Sequence, residues 1–328
     1  MIRFGIVGFG LHAVKRLIPG FQRTSGCRVV ALSRRDLGQA QASARQFQIE
    51  HAFASTADLC ASSDVDVVYV CSPDALHCAD VLTAVQYRKP VLCEKPMAMN
   101  ADEARTMVKA ARDAGVTLGV AHVMRFDESV GLICEQIAAG AIGRPHAAHA
   151  SFFVPMLTSA RTWDSDPRLA AGGPLSDVGV HCIDTLRFVL SDEVRTASAR
   201  AYYDSRSPLE ASAVAVLEFV GGTLGTISVS ARSPYQTFLE VAGETGTLSA
   251  LYALTIERPV KVELRRGFEV VESREVSNAD AYAVQVDAFA AAIEEGRDFE
   301  IPGEEGLKNQ LILDAAFRSV KSGKVEGV

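Results

Sequence analysis

The chain opens Met1-Ile2-Arg3-Phe4-Gly5-Ile6-Val7-Gly8-Phe9-Gly10-Leu11-His12-Ala13, and this stretch decides how the rest is read. Arg3 to Val7 is a short apolar run of strand type, Gly8 to Ala13 matches G-x-G-x-x-A, and a helical pattern follows. In such a loop Gly8 permits a tight turn, Gly10 leaves room for a pyrophosphate against the backbone, and Ala13 lets the helix pack close to the strand. The free N–H groups of the helix start then meet the anion, so Gly8, Phe9, Gly10, Leu11, His12 and Ala13 are expected to bind a dinucleotide. Glycines at a strand-to-helix turn also have a purely steric explanation. The position of this turn, after the first strand of a repeating pattern, favours the dinucleotide.

That pattern continues for 121 residues. Apolar runs at Arg28 to Leu32, Val65 to Val70, Pro90 to Cys93 and Thr117 to Ala121 alternate with helical stretches at Asp36 to Phe47, Ala75 to Tyr87 and Asn100 to Ala114. Asn100 reads as an N-cap and Gly115 as a stop. Runs this continuous suit strands covered on both faces, hence a parallel sheet with crossover helices. After residue 121 the order changes to a helix at Asp127 to Ala139, a turn at Gly143 to Pro145, and one long helix after Gly172. Alternating segments follow at Ala213 to Phe219, Thr223 to Ala231, Phe238 to Ala242 and Val260 to Leu264, then helices at Ala281 to Glu295 and Glu305 to Lys321. Alternation predicts antiparallel strands. The expected fold class is α/β plus α+β, with domains at 1–121 and 122–328 and the last helix packing back on the first domain.

The second strand ends in Ser33-Arg34-Arg35, about 20 residues beyond the glycine loop, where a carboxylate would hold the ribose 2′-OH of NAD. A hydroxyl and arginines suit a 2′-phosphate instead, so NADP is expected and NAD is the alternative. In the second case Arg34 and Arg35 are a solvated loop and Asp36 bonds the ribose. The fifth strand runs into Cys93-Glu94-Lys95-Pro96, placing Lys95 outside the carboxyl end of the sheet, where such folds bind ligands. There it acts as acid or base, or it neutralises Glu94 or a phosphate. In Gly172-Gly173-Pro174-Leu175-Ser176-Asp177-Val178-Gly179-Val180-His181-Cys182-Ile183-Asp184, Asp177 and His181 fall on one face of the expected helix, with Asp184 a turn further. A polar stripe on an otherwise apolar helix lines a cavity, or it divides into a first-turn acid and a core histidine.

The chain has 328 residues, a formal charge of −7 and 48% apolar residues, enough for a large core and incompatible with a disordered chain. Without a Lys/Arg-dense run it is no dedicated nucleic-acid binder. Its seven cysteines are odd in number and never stand in C-x-x-C spacing, which argues against a disulfide framework or a zinc ribbon, and no metal site is expected among the scattered histidines. No membrane span and no secretory leader are read, so a reduced, cytoplasmic protein is expected.

Taken together and in order, these motifs resemble the Gfo/Idh/MocA family of sugar-type oxidoreductases. The resemblance runs over essentially the whole chain. It rests on Gly5-Ile6-Val7-Gly8-Phe9-Gly10-Leu11-His12-Ala13, on Cys71-Ser72-Pro73-Asp74-Ala75-Leu76-His77, on Glu94-Lys95-Pro96, on Arg125-Phe126 and on Asp177-x-x-x-His181. Val241-Ala242-Gly243-Glu244-Thr245-Gly246 and Ser319-Val320-Lys321-Ser322-Gly323 also match. It implies a Rossmann domain, then a domain built on a large open, mostly antiparallel sheet, with the active site between them. Lys95, Asp177 and His181 become the catalytic set: His181, oriented by Asp177, takes the hydroxyl proton while Lys95 bonds the same oxygen. Ser33, Arg34, Cys71, Ser72, Pro73, His77, Glu94 and Lys95 join the cofactor contacts, and Lys95, Arg125, Trp163, Asp177 and His181 the substrate contacts. Asp164 follows Trp163 where members often carry arginine, so Arg161 or Arg168 stands in; Pro174 replaces a usual glycine.

The implied activity is NADP(H)-dependent hydride transfer to or from a secondary alcohol or ketone of a sugar, polyol or related small molecule. Two other readings stay open: a lyase or glycosidase that retains its NAD, and a dinucleotide-binding regulator without chemistry. Phe152, Phe153 and Tyr235 line the substrate pocket or only the sheet, and His122 faces the cleft or is structural. Leu217, Phe219, Leu224, Ile227 and Val229, shared between two sheet faces, predict an apolar patch and a homodimer or homotetramer through it.

Overall fold

The structure, a computed structural model, describes residues 1–156 and 163–328. It divides into two units: Met1–His122 with Arg168–Ala171 and Tyr282–Gln310, and Val123–Pro167 with Gly172–Ala281 and Leu311–Val328. Among the described residues no helix is long and apolar enough to cross a membrane.

In the first unit the apolar runs form β1 (Ile2–Val7), β2 (Cys27–Ser33), β3 (His51–Phe53), β4 (Val67–Val70), β5 (Val91–Cys93) and β6 (Leu118–Val120). They build a six-stranded sheet in the order β3-β2-β1-β4-β5-β6, paired in parallel throughout. Phe4, Ile6, Val30, Leu32, Val68 and Leu92 are fully buried, as expected of strands covered on both faces. The direction of strand order reverses between β1 and β4, which is where open sheets of this kind bind ligands.

Helices α1 (Ile18–Phe21), α2 (Leu37–Phe47), α3 (Thr56–Ala61), α4 (Asp74–Gln86) and α5 (Ala101–Ala114) supply the crossovers. The segment ahead of α1 is wound wide, as a π-type turn over Ala13–Leu17. Pro19, without an N–H, cannot continue a regular ladder there. Local capping explains most starts and stops: Asp36 accepts from Gln39 N, Ser55 from Asp58 N, and Asn100 from both Asp102 N and Glu103 N. Gly115, at φ 62°, ends α5 in the left-handed region that favours glycine. Residues 282–310, from the end of the chain, belong to this unit as well. Their Phe289 and Phe299 rings fill the space over β6 where Gly119 has no side chain.

The second unit carries α6 (Glu128–Ala138), β7 (Pro145–Phe153), α7 (Pro174–Asp177), α8 (Gly179–Leu190), β8 (Val194–Tyr202), β9 (Ser212–Phe219), β10 (Leu224–Ser230), β11 (Gln236–Gly243), β12 (Thr247–Leu251), β13 (Val260–Arg266) and β14 (Glu269–Val276). After α9 (Ala281–Glu295) and α10 (Gly303–Ser322), β15 (Glu326–Gly327) closes the edge of a nine-stranded sheet, ordered β14-β13-β12-β11-β7-β10-β9-β8-β15. Among the described residues of this sheet, only β7 and β10 pair in parallel.

Two expectations are corrected here. Leu217, Phe219, Ile227 and Val229 all lie on the buried face; of that group only Leu224 is exposed, and Val214 and Val216 stand with it on the open face. The period of 2 along β9 and β10 separates them. The expected single helix after Gly172 is interrupted: α7 ends at Asp177, Val178 at φ −114° and ψ −22° belongs to neither segment, and Gly179 begins α8. A four-residue first segment led by Pro174 and followed by a glycine has little of its own to hold it in line with α8.

Asp127, just ahead of α6, is 1% exposed, and neither carboxylate oxygen has a hydrogen-bond partner among the described residues. Burial alone pushes its carboxyl well above the usual range. The native state therefore keeps a proton that an unfolded Asp loses near pH ~3.9, so stability drains away as pH rises beyond that value. Asp127→Asn removes the titration without removing a partner. Thermal melts from pH 4 to 8 should show the variant gaining on wild type as pH rises; a constant difference would mean Asp127 is not held protonated.

Candidate functional site

Gly8 leaves β1 at φ 75°, and a Cβ there would lie 2.4 Å from the Ser72 Cα, so the loop crosses the end of β4 at a distance only glycine allows. At Gly10 an added Cβ would meet nothing nearer than the Gly8 carbonyl at 3.6 Å, which leaves the open cradle a pyrophosphate requires. Phe9 serves the core: it is 1% exposed, its ring lies 5.5 Å from that of Phe47, and its N–H is spent on the Ser33 carbonyl. Leu11 and His12 remain half-buried. Cys71 directs its thiol at the Gly8 carbonyl, 3.5 Å away, and desolvation pushes that thiol up, away from thiolate chemistry.

At the end of β2, Ser33 is buried and Arg34 extends along α2, donating to Ser43 Oγ at 3.0 Å and Gln39 Oε1 at 2.7 Å. Asp36 Oδ1 is taken by Gln39 N at 2.8 Å, and Arg35 is exposed. Beyond β4, Ser72 Oγ donates to Asp80 at 2.6 Å. His77, 1% exposed, sits between two carbonyls, with Nε2 2.8 Å from Ser72 O and Nδ1 3.0 Å from Pro96 O. It ties the segments after β4 and β5 together through their backbones.

Glu94 directly follows β5 and sits in a buried polar cluster. Its Oε1 lies 2.8 Å from His12 Nε2 and accepts from the Tyr69 hydroxyl at 2.9 Å, while Oε2 accepts from the Lys95 backbone N–H at 3.2 Å. Gln285 Nε2 reaches Tyr69 Oη at 3.4 Å. Burial pushes the Glu94 carboxyl up, but His12, Lys95 and the Tyr69 hydroxyl outweigh it and hold it at about 2. Tyr69 and Gln285 went unnoticed in the sequence. One signal was present: a tyrosine inside the apolar run Val67–Val70 must find a partner for its hydroxyl. Lys95 itself is half-buried and joined to Pro96 by a cis bond. His122, also in this unit, lies 2.9 Å from Asn309 Nδ2 and is 1% exposed, which assigns it a structural contact.

In the second unit His181 is 6% exposed on α8, its ring stacked on Phe152 at 5.9 Å and 28°. Tyr235 meets Phe152 edge-on at 5.8 Å, so aromatic side chains of β7 and of the segment entering β11 back the histidine. Asp177 ends α7, whose start is held by the buried Glu210 carboxylate accepting from Leu175 N at 3.0 Å. Asp184 is a different kind of group: Arg125 grips it through Nε at 3.0 Å and Nη2 at 2.6 Å, and Arg187 stands 3.9 Å away while also pairing with Glu193. The Arg125 guanidinium additionally lies over the Phe188 ring, 5.1 Å from its centre. Trp163 is half-buried in a short turn and Arg168 is exposed; Arg161 lies outside the described residues.

A parallel sheet with a glycine loop at its switch point defines a Rossmann-type fold, and comparison with known proteins narrows it. Residues 2–122 match the oxidoreductase family with an NAD-binding Rossmann fold, and residues 132–249 match the GFO/IDH/MocA C-terminal domain. The chain belongs to the Gfo/Idh/MocA oxidoreductase family. It is 33% identical to a 1,5-anhydro-D-fructose reductase of Ensifer adhaerens over 99% of this chain and 98% of the relative. It is 30% identical to D-xylose 1-dehydrogenase (NADP(+)) 2 of Haloferax volcanii, over 98% of both. In fold it superposes on the aldose-aldose oxidoreductase of Caulobacter crescentus, solved with glycerol, with a TM-score of 0.91 at 22% identity over 100% of this chain and 99% of the other.

Proposed function

We propose that the protein transfers hydride between NADP(H) and a secondary alcohol or ketone of a sugar, polyol or related small molecule. The observation that carries the cofactor choice is the end of β2, where an arginine held by Ser43 and Gln39 stands in place of a ribose-binding carboxylate, and the nearby Asp36 is spent on capping α2. The cradle at Gly8 and Gly10 fits a dinucleotide because a side chain at Gly8 would collide with Ser72 and the space over Gly10 is open. Gly8 to Ala13 would hold the pyrophosphate, Ser33 and Arg34 the 2′-phosphate, and Glu94 and Lys95 would lie toward the nicotinamide. When bound, the dinucleotide supplies or accepts the hydride. The named relatives act on anhydrofructose and xylose, which supports a sugar-like substrate.

In the oxidation direction His181 takes the hydroxyl proton, its ring plane set by Phe152, with Asp177 orienting it. Lys95 bonds the same oxygen and keeps it aligned. In reduction the same groups return the proton to the new hydroxyl. Arg125 would meet the substrate as one end of its pair with Asp184. Free cysteines throughout support a reducing, cytoplasmic setting, and exposed Val214, Val216 and Leu224 on the open sheet face support a homodimer or homotetramer.

Three measurements test this reading. Fluorescence titration should find NADPH binding tighter than NADH by roughly 10- to 150-fold, the worth of one charge-assisted arginine–phosphate bond, and Arg34→Ala should erase the gap. Equal affinities in wild type would remove the NADP assignment, and NAD that co-purifies tightly would turn attention to an enzyme that retains its cofactor. Across a panel of aldoses and polyols with NADP, His181→Asn and Lys95→Met should each lower kcat by about 10²- to 10⁴-fold. A His181→Asn enzyme at the wild-type rate sinks the proton-transfer role. Light scattering at micromolar concentration should read a dimer or tetramer, and a monomer there ends the assembly proposal.

A further inference from the structure

One side chain joins the glycine loop to the segment after β5. His12 sits inside the G-x-G-x-x-A loop, and its Nε2 lies 2.8 Å from Glu94 Oε1. A carboxylate only accepts, so Nε2 carries the hydrogen and His12 is the donor. The second donor to the same oxygen is the Tyr69 hydroxyl, 2.9 Å away and completely buried, itself backed by Gln285. With Oε1 held from two sides, Oε2 is directed at the Lys95 amide, 3.2 Å away.

We propose that His12 is a positioning residue: through Glu94 it fixes the backbone of Lys95, and so links occupancy of the dinucleotide loop to placement of the lysine. The link rests on the reading of Lys95 as catalytic. Its physical basis is the cost of a buried charge. Glu94 is 7% exposed, and without His12 its carboxylate keeps a single side-chain donor. An under-bonded buried carboxylate turns toward water or takes up a proton, and either change releases the Lys95 amide. A loop that shifts to admit pyrophosphate moves His12, and His12 draws the same carboxylate. Beyond Glu94, the His12 ring meets Tyr282 edge-on at 6.0 Å, a contact that asks for no imidazole.

The test reads Lys95 directly. Wild type, His12→Phe and His12→Gln are trace-labelled with acetic anhydride, with and without NADPH, and Lys95 acylation is measured by peptide mass spectrometry against the exposed Lys109. Glutamine keeps a donor for Glu94; phenylalanine fills the space and does not. Loss of one hydrogen bond should raise Lys95 labelling in His12→Phe by about 3- to 10-fold, while His12→Gln stays near wild type. In the NADPH complex the protection of Lys95 seen in wild type should be restored by glutamine and not by phenylalanine. Unchanged labelling in a folded His12→Phe overturns the link and leaves His12 to the loop alone. Should His12→Phe not fold, Tyr69→Phe removes the other donor to Glu94 and must raise the labelling for the link to stand. With a sugar that turns over, His12→Phe should lower kcat at saturating NADP by about 10-fold or more while the sugar KM changes little, as misplacement of a catalytic group does. If no sugar turns over in wild type, the proposed activity fails, yet the labelling result still decides the link.

Discussion

The first unit depends on the contact between Gly8 and the backbone of Ser72. Because β1 and β4 are neighbours in the sheet, the chain leaving β1 must cross the chain leaving β4, and it does so where a Cβ would sit 2.4 Å from a Cα. That close crossing is secured from several directions. The Cys71 thiol donates to the Gly8 carbonyl, and the Phe9 N–H is held by Ser33 at the end of β2. His77 then joins the Ser72 carbonyl to that of Pro96, bringing the segment after β5 into the same framework. The ends of β1, β2, β4 and β5 thus form one edge, and the residues proposed to bind dinucleotide all belong to it.

A framework built from backbone contacts still needs a charge to work with. Glu94 supplies one, and its burial would be prohibitive without donors on both oxygens. Three segments far apart in sequence meet for this purpose: the loop after β1 brings His12, β4 brings Tyr69, and the chain leaving β5 brings Glu94 itself. Gln285, from α9, backs the tyrosine, so residues near the end of the chain complete a cluster begun at residue 12. Replacing Tyr69 by an apolar residue would be the natural choice for a strand buried on both faces; the hydroxyl is kept because the carboxylate needs it.

How legible all this was depends on whether the deciding contact is local. The strands of the first unit could be read because burial on both faces leaves apolar runs, and α2 and α5 because Asp36 and Asn100 cap them within three residues. α3 escaped notice because it is under two turns long, and β3, whose three residues carry no period, is legible only as a short strand start near His51. In the larger sheet the alternation of β9 and β10 was plain, but which face each residue joined was not, since Leu217 and Val216 differ only by which side of the strand meets the core. The parallel pairing of β7 with β10 joins segments more than 70 residues apart, and no local pattern records it. Residues 282–310 lie between two stretches of the second unit in sequence and belong to the first; of this the sequence reading expected only the return of the last helix. The glycine loop and Lys95 were legible by motif; the His12–Glu94–Tyr69 cluster was not, because each member looks ordinary in its own segment.

The polar stripe Asp177, His181 and Asp184 shows why spacing alone cannot assign roles. A regular helix would present all three as one surface, with either carboxylate able to orient the histidine. Val178 separates Asp177, at the end of α7, from the start of α8, and the guanidinium of Arg125 meets both oxygens of Asp184. Asp184 therefore serves charge balance within a buried group that includes Arg187, and a base is of no use where two arginines hold its negative charge in place. His181 is treated differently. Phe152 covers the face of its ring and leaves the edge, which bears both nitrogens, uncovered by that contact. Stacking restricts rotation of the imidazole through its face alone and uses neither ring nitrogen. Of the stripe's members, His181 is the one whose ring is oriented by an apolar contact, and Asp184 the one whose charge is balanced by arginines.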